Sequence, residues 1–269
     1  MLSSVSRFAL GLVAVSSALG APCVRAFEGD GSRRVPVRED RVEMALENVF
    51  APVEGYDDND PVEVVFHGVL PNACYTLGDT FFEHDQDGRT IHLRQYVLRK
   101  KDKVCAEGSA LPPHLAAAVP FTNSVALGTL PASDYALSFR ALAGGVRRRT
   151  LSVAESRSSL VDSMPYAVVN TVMVPSIVSA QQNVEVTVSG VLNSTCVELS
   201  DQWQVLHQKD VVVVLPTVIV KENQTYCAQM LRPFTRTIQL GALPAGESLV
   251  HVRSMNGKSL NALVDVQAR

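Results

Sequence analysis

The chain has 269 residues, a net charge of −3 and 46% apolar residues. That length accommodates two ordinary domains, each able to bury a core of its own. A net charge so close to zero gives no global field for nucleic acid or an anionic membrane, so partners selected by bulk charge are excluded.

One basic residue, Arg7, precedes an apolar run from Phe8 to Leu19. The run has the length of a signal-peptide core and is too short to span a bilayer. Val24-Arg-Ala26 offers small residues for cleavage, so residues 1–26 read as a signal peptide. A cut before Ala21 and a buried N-terminal helix are the competing readings. Of the five cysteines, Cys23 would leave with the signal. A lipid anchor on Cys23 is disfavoured, because Gly20 and Pro22 occupy the positions where lipoproteins carry Leu and a small residue. Residues 27–40 are polar and aperiodic and read as a flexible leader. No later stretch is long and apolar enough to cross a membrane. These features point to a soluble chain in an oxidising compartment, periplasmic or secreted.

Beyond the leader the hydrophobic period is two. Val62, Val64 and Phe66 share one face against Glu63 and His67, and Leu137 and Phe139 alternate with Ser138 and Arg140. Half-buried strands read this way, with the polar face in solvent. Strands are expected near 43–51, 62–69, 75–83, 89–98, 121–128, 134–141 and 146–153, separated by turns such as Asp85-Gln-Asp-Gly88 and Ala143-Gly-Gly145.

The chain then repeats itself. Residues 62–79 (VEVVFHGVLPNACYTLGD) return as 184–201 (VEVTVSGVLNSTCVELSD), and Leu127-Gly-Thr-Leu-Pro-Ala132 returns as Leu240-Gly-Ala-Leu-Pro-Ala245. Val250 and Val252 alternate with His251 and Arg253, as Leu137 and Phe139 did with Ser138 and Arg140. In both copies a second cysteine follows the first by 31 residues, Cys74 to Cys105 and Cys196 to Cys227. The identical spacing predicts two structural disulfides, each stapling neighbouring loops at one end of its own unit. Zinc is disfavoured, since no CxxC or HxxxH occurs. The expected fold is all-β: two tandem immunoglobulin-like antiparallel β-sandwich domains at 41–154 and 166–269, joined by a linker at 155–165. The antibody pattern itself is absent, because the only Trp is Trp203, in the second copy alone.

The motif elements are Gly68-Val-Leu-Pro-Asn-Ala-Cys74, Val119-Pro-Phe121 and Leu130-Pro-Ala132, with Gly190-Val-Leu-Asn-Ser-Thr-Cys196, Arg232-Pro-Phe234 and Leu243-Pro-Ala-Gly246 in the second copy. In this the chain resembles uncharacterised secreted bacterial proteins built from repeated, disulfide-stapled immunoglobulin-like β-sandwich domains. The second copy lacks the first proline, and the first lacks the final glycine. The resemblance covers most of both copies and implies a bacterial, exported setting. It implies no activity, since its motifs are turn and core positions.

No catalytic or cofactor motif is present: no GxSxG, no phosphate-cradling glycine loop and no HExxH. The six histidines share no spacing, and they read as surface residues without partners. His84 and His92 fall on opposite faces of their strands, and His114 stands in a loop. Glu83-His-Asp-Gln-Asp-Gly88 fails as a calcium loop because its twelfth position is Arg94. Glu54, Asp57, Asp58, Asp60, Asp85, Asp87 and Asp134 would share one end of the first unit if strands alternate in direction. Carboxylates converging there could hold Ca²⁺, although a solvated acidic end is the simpler reading. Arg147–Arg149 reads as a solvated basic edge. Residues 108–116, absent from the second copy, form either a recognition loop or a cap on their own core. Asn193-Ser-Thr195 and Asn223-Gln-Thr225 match the glycosylation sequon, a short pattern that recurs by chance.

No catalytic residue, cofactor or metal ligand is therefore expected. The sequence favours a non-enzymatic exported or envelope binding protein, whose partner is another protein or an envelope component. The alternatives are a secreted protease inhibitor presenting the 108–116 loop and a hydrolase whose site forms only in three dimensions.

Overall fold

A computed structural model describes residues 40–101, 104–106, 110–156, 165–221 and 226–268. The expected signal peptide with Cys23, nearly all of the expected leader, most of the expected linker and the Asn223 sequon lie outside these residues. Among the described residues no helix is long and apolar enough to cross a membrane.

Among the described residues, the regular structure of the first half is strand save for one helical turn. It comprises β1 (Asp40–Met44), β2 (Asn48–Phe50), β3 (Tyr56–Asp57), β4 (Val62–Leu70), β5 (Tyr75–His84), β6 (Thr90–Arg99), α1 (Pro113–Ala116), β7 (Val119–Gly128), β8 (Ser133–Arg140) and β9 (Val146–Ala154). Strands β2, β4 and β7 make one sheet; β5, β6, β1, β8, β9 and β3 make the other. The alternating residues Val62, Val64 and Phe66 meet Ile91, Leu93, Leu137 and Phe139 between the sheets. This is the β-sandwich that period-two patterning dictates.

The second half comprises β10 (Val168–Met173), β11 (Ile177–Ser179), β12 (Asn183–Leu192), β13 (Val197–Leu199), β14 (Gln204–Gln208), β15 (Val211–Leu215), β16 (Val218–Val220), β17 (Arg232–Ala242), β18 (Gly246–Arg253) and β19 (Ser259–Gln267). Here β10–β12–β17 faces β11–β19–β18–β15–β14, with β13–β16 as a separate ribbon. Val184, Val186 and Val188 pack on Val212, Val214, Val250 and Val252.

Two expectations need correction. First, the sheets are not purely antiparallel. Strand β6 runs parallel to β8 and β15 parallel to β18, and the short β3 and β11 run parallel to β9 and β19. The cause is connectivity. Strand β7 lies in the opposite sheet, so the chain crosses the sandwich after β6 and returns as β8 in the same direction. Second, the strand expected at 43–51 is two strands in different sheets. Leu46 marks the switch, held by hydrogen bonds to Arg140 O and from Leu142 N, both 2.8 Å.

The glycine and Pro-Phe motifs meet across strands. Gly68 pairs with Phe121, and Gly190 with Phe234. A Cβ at Gly190 would stand 2.0 Å from Val168 O and 2.8 Å from the Phe234 ring, so no larger residue fits. Disulfides join Cys74 to Cys105 and Cys196 to Cys227, with Cα atoms 5.5 and 5.4 Å apart.

Candidate functional site at the junction of the two halves

Alternation places Glu63, Val65 and His67 on the outer face of β4, and Leu249, His251 and Arg253 on the outer face of β18. Their polar members, Glu63, His67, His251 and Arg253, were expected in solvent. Val65, His67, Leu249, His251 and Arg253 are buried instead and Glu63 is half-buried, because the outer face of β2–β4 packs against the outer face of β15–β18. Phe50 and Val65 meet Val211, Val213, Leu215 and Leu249 in a cluster separate from either sandwich core. Residues 38–269 accordingly form one compact unit. A signal for this was present in Val211-Val-Val-Val-Leu215, a continuous apolar run that suits a strand covered on both faces.

Around that apolar centre lies a ring of polar contacts. Arg253 Nη1 donates to Asp60 Oδ2 at 2.5 Å and to Gly55 O at 2.6 Å, with both side chains of the ion pair essentially out of solvent. Asp60 Oδ2 also accepts from Asp57 N at 2.6 Å. Asn261 donates to Glu63 Oε2 at 2.9 Å and its Oδ1 lies 2.9 Å from His251 Nδ1. The Tyr56 ring meets His251 edge-on at 5.1 Å. Burial pushes His251 down to about 4 and Tyr56 up to about 12, so both stay uncharged at neutral pH.

Nearer the surface, Arg149 bridges Asp210 Oδ2 (2.6 Å) and Asn48 Oδ1 (2.7 Å). His67 Nδ1 lies 3.2 Å from Glu247 Oε1 and Nε2 lies 3.5 Å from Glu47 Oε2. Burial, then the negative charges of Glu47 and Asp265, push Glu247 up to about 7. Burial also lowers His67, against the opposing pull of Glu47 and Asp265. Glu47, Asn48, Arg147, Arg149, Lys209, Asp210 and Glu247 line an open cleft of about 340 Å³ between the halves.

Five of the seven acidic residues weighed for calcium hold other partners. Asp60 pairs with Arg253; Asp58 Oδ1 accepts from Ser156 N at 3.1 Å. Asp85 and Asp87 accept backbone N–H bonds from Thr90 (3.0 Å) and Arg89 (2.7 Å) within their turn, and Ser152 donates to Asp134. A hydrogen bond from the Thr90 side chain, chiefly, holds Asp85 below the ordinary carboxylate range. Glu54 is exposed. Among the described residues no three His, Cys, Asp or Glu side chains are grouped to hold a metal. His84 pairs with Ile91 and His92 with Glu83, which keeps the two imidazoles on opposite faces of the hairpin, and His114 is exposed on α1.

The stapled ends differ. In the first half residues 110–116 fold back: α1 is tied down by Ala73 N donating to Leu115 O at 3.0 Å, and Leu111 and Leu115 are half-buried. In the second, the short connection leaves Ile219, Val220, Tyr226, Met230 and Leu231 exposed around Cys196–Cys227, Tyr226 at 82% and Leu231 at 71%. Asn193 is exposed at the same end.

The fold and junction thus define a disulfide-containing, all-β sandwich protein. Residues 186–266, from β12 to β19, match the family model described as ORF11 beta-sandwich domain. No curated protein and no solved structure matches the chain.

Proposed function

We propose that this is a non-enzymatic binding or scaffold protein of the periplasm or cell exterior, built from two tandem immunoglobulin-like sandwiches. The matching strand orders and the shared bulge positions, Val62/Glu63 and Val184/Glu185, support the tandem arrangement. Two disulfides are what an oxidising compartment preserves, which supports export. The observation that carries the binding role is the apolar surface at the stapled end of the second half. Five large apolar side chains are exposed on the strand and connection that flank Cys196–Cys227, and a group of this kind in solvent marks a contact surface. The exposure of Ile219, Val220, Tyr226, Met230 and Leu231 supports reading them as the surface for another protein or an envelope component. A second reading is a secreted protease inhibitor presenting the 108–116 loop, supported by the exposure of Pro113, His114 and Ala116.

The test is capture from the native envelope fraction with wild type and with Tyr226→Ser/Leu231→Ser. The double variant is expected to fold with an unchanged melt and to lose the captured partner. Undiminished capture would overturn this placement.

A further inference from the structure

The junction inside the chain joins two kinds of surface, and each half carries both. The second half uses the outer face of β15–β18–β19; the first half uses the outer face of β2–β4. Among the described residues, nothing covers the first half's β6–β8–β9 face or the second half's β10–β12 face. Their registers superpose on the buried pair. Thr90 pairs with Ala136 as Val211 does with Leu249, and Arg140 pairs with Val146 as Arg253 does with Ser259. Arg140 therefore stands where Arg253 grips Asp60, and Arg148 where Asn261 grips Glu63. Arg140 and Arg148 are exposed and have no ion pair among the described residues. Between them Ser138 is only 4% exposed, and it lines an open groove of about 360 Å³ with His92, Arg94 and Arg140.

The free face of the second half supplies the complement. Glu185 follows the β-bulge of β12 as Glu63 follows that of β4, and it is exposed. Met173, opposite Thr187, takes the place of Phe50 opposite Val65, and it is 56% exposed. Copying the internal junction between molecules would set Glu185 of one chain against Arg148 of the next, with Met173 over the groove beside Ser138.

We propose that the occupant of the β6–β8–β9 face is the β10–β12 face of a second copy of this chain, joined head to tail through Glu185 and Arg148. The contact is heterologous, so it leaves a free face at each end and propagates. It lacks the valine-rich centre of the internal junction: Thr90, His92 and Arg94 replace Val211, Val213 and Leu215. Its strength is therefore ionic and falls with salt. This inference is independent of the apolar partner surface proposed above.

Sedimentation velocity of the full chain over a concentration series tests it. Species larger than the monomer are expected at low ionic strength and are lost at high salt. Arg148→Glu and Glu185→Arg should each weaken association by at least about tenfold through like-charge contact. An equimolar mixture of the two variants should associate again, since every contact then joins an opposite pair; so should the double variant alone. Both positions are exposed, and circular dichroism verifies folding; Arg148→Gln gives the milder loss. A wild-type chain that stays monomeric throughout the series overturns the proposal. So does association that neither reversal weakens, the result expected if the apolar end surface were the contact.

Discussion

Arg253 and Asp60 show how one buried ion pair can hold two sandwiches in a single arrangement. Neither charge has access to water, so removing one leaves the other uncompensated. Arg253→Ala is expected to cost about 3–5 kcal/mol, whereas replacing both partners with apolar residues should cost far less. Urea titration of the two single variants and the double variant measures the difference. The histidine and glutamate nearby have opposite pH signatures. His251 binds its proton less tightly folded than unfolded, so its contribution is present above about 6.5 and is lost as pH falls toward about 4. Glu247 binds its proton more tightly folded, so its contribution is present below about 4.5 and is lost as pH rises through about 7. Thermal melts should therefore show Glu247→Gln gaining on wild type between pH 5 and 8. His251→Gln should lose less than wild type between pH 6.5 and 4. Parallel pH curves for variant and wild type would refute either assignment.

At the scale of elements, β12 is held tightly between β10 and β17 at Gly190, where the Val168 carbonyl and the Phe234 ring fill the space a side chain would need. Gly190→Ala is expected to destabilise by at least about 2 kcal/mol, read from the denaturant midpoint. The strands themselves were legible in the sequence because Val62, Val64 and Phe66, and their counterparts from Val184, alternate with polar residues along a pleated backbone. The turn at Asp85–Gly88 was legible because it needs the left-handed Gly88, at φ 70°. The parallel neighbours were not, since β6 and β8 have the same residue pattern whichever way they run. The junction was missed for a related reason. His67, His251 and Arg253 are polar residues on alternating strands, and period two cannot tell a face in water from a face against another sheet. Only Val211–Leu215, apolar at every position, carried the difference. Each disulfide closes its loop between elements rather than within one. Losing Cys196–Cys227 through paired Ser substitutions should cost about 3–4 kcal/mol by calorimetry in the chain-entropy account.

For the whole molecule, the two halves are not interchangeable modules on a string. One sheet of the second half is covered on both sides, by its own β10–β12–β17 layer and by the first half, while each sheet of the first half keeps or loses its outer cover according to its place in the pair. A variant that disrupts the shared centre, such as Val213→Asp, should separate the halves. Limited proteolysis would then cut between residues 156 and 165 faster than in wild type, whereas an unchanged digestion pattern would mean that the polar ring alone suffices.

The run Val211–Leu215 also sets an order of events during synthesis. Five consecutive apolar residues without a charge form a segment prone to pair with its like when uncovered. Their outer cover, Phe50 and Val65, belongs to the half that emerges from the ribosome first. A first half already folded when the second appears acts as a template, and the valine strand is hidden as it forms. Reversing that order, by moving residues 165–269 ahead of 40–156 in a permuted gene, would leave the strand waiting for its cover. Such a chain should aggregate during refolding at concentrations where the natural order stays clear, although the finished contacts would be the same.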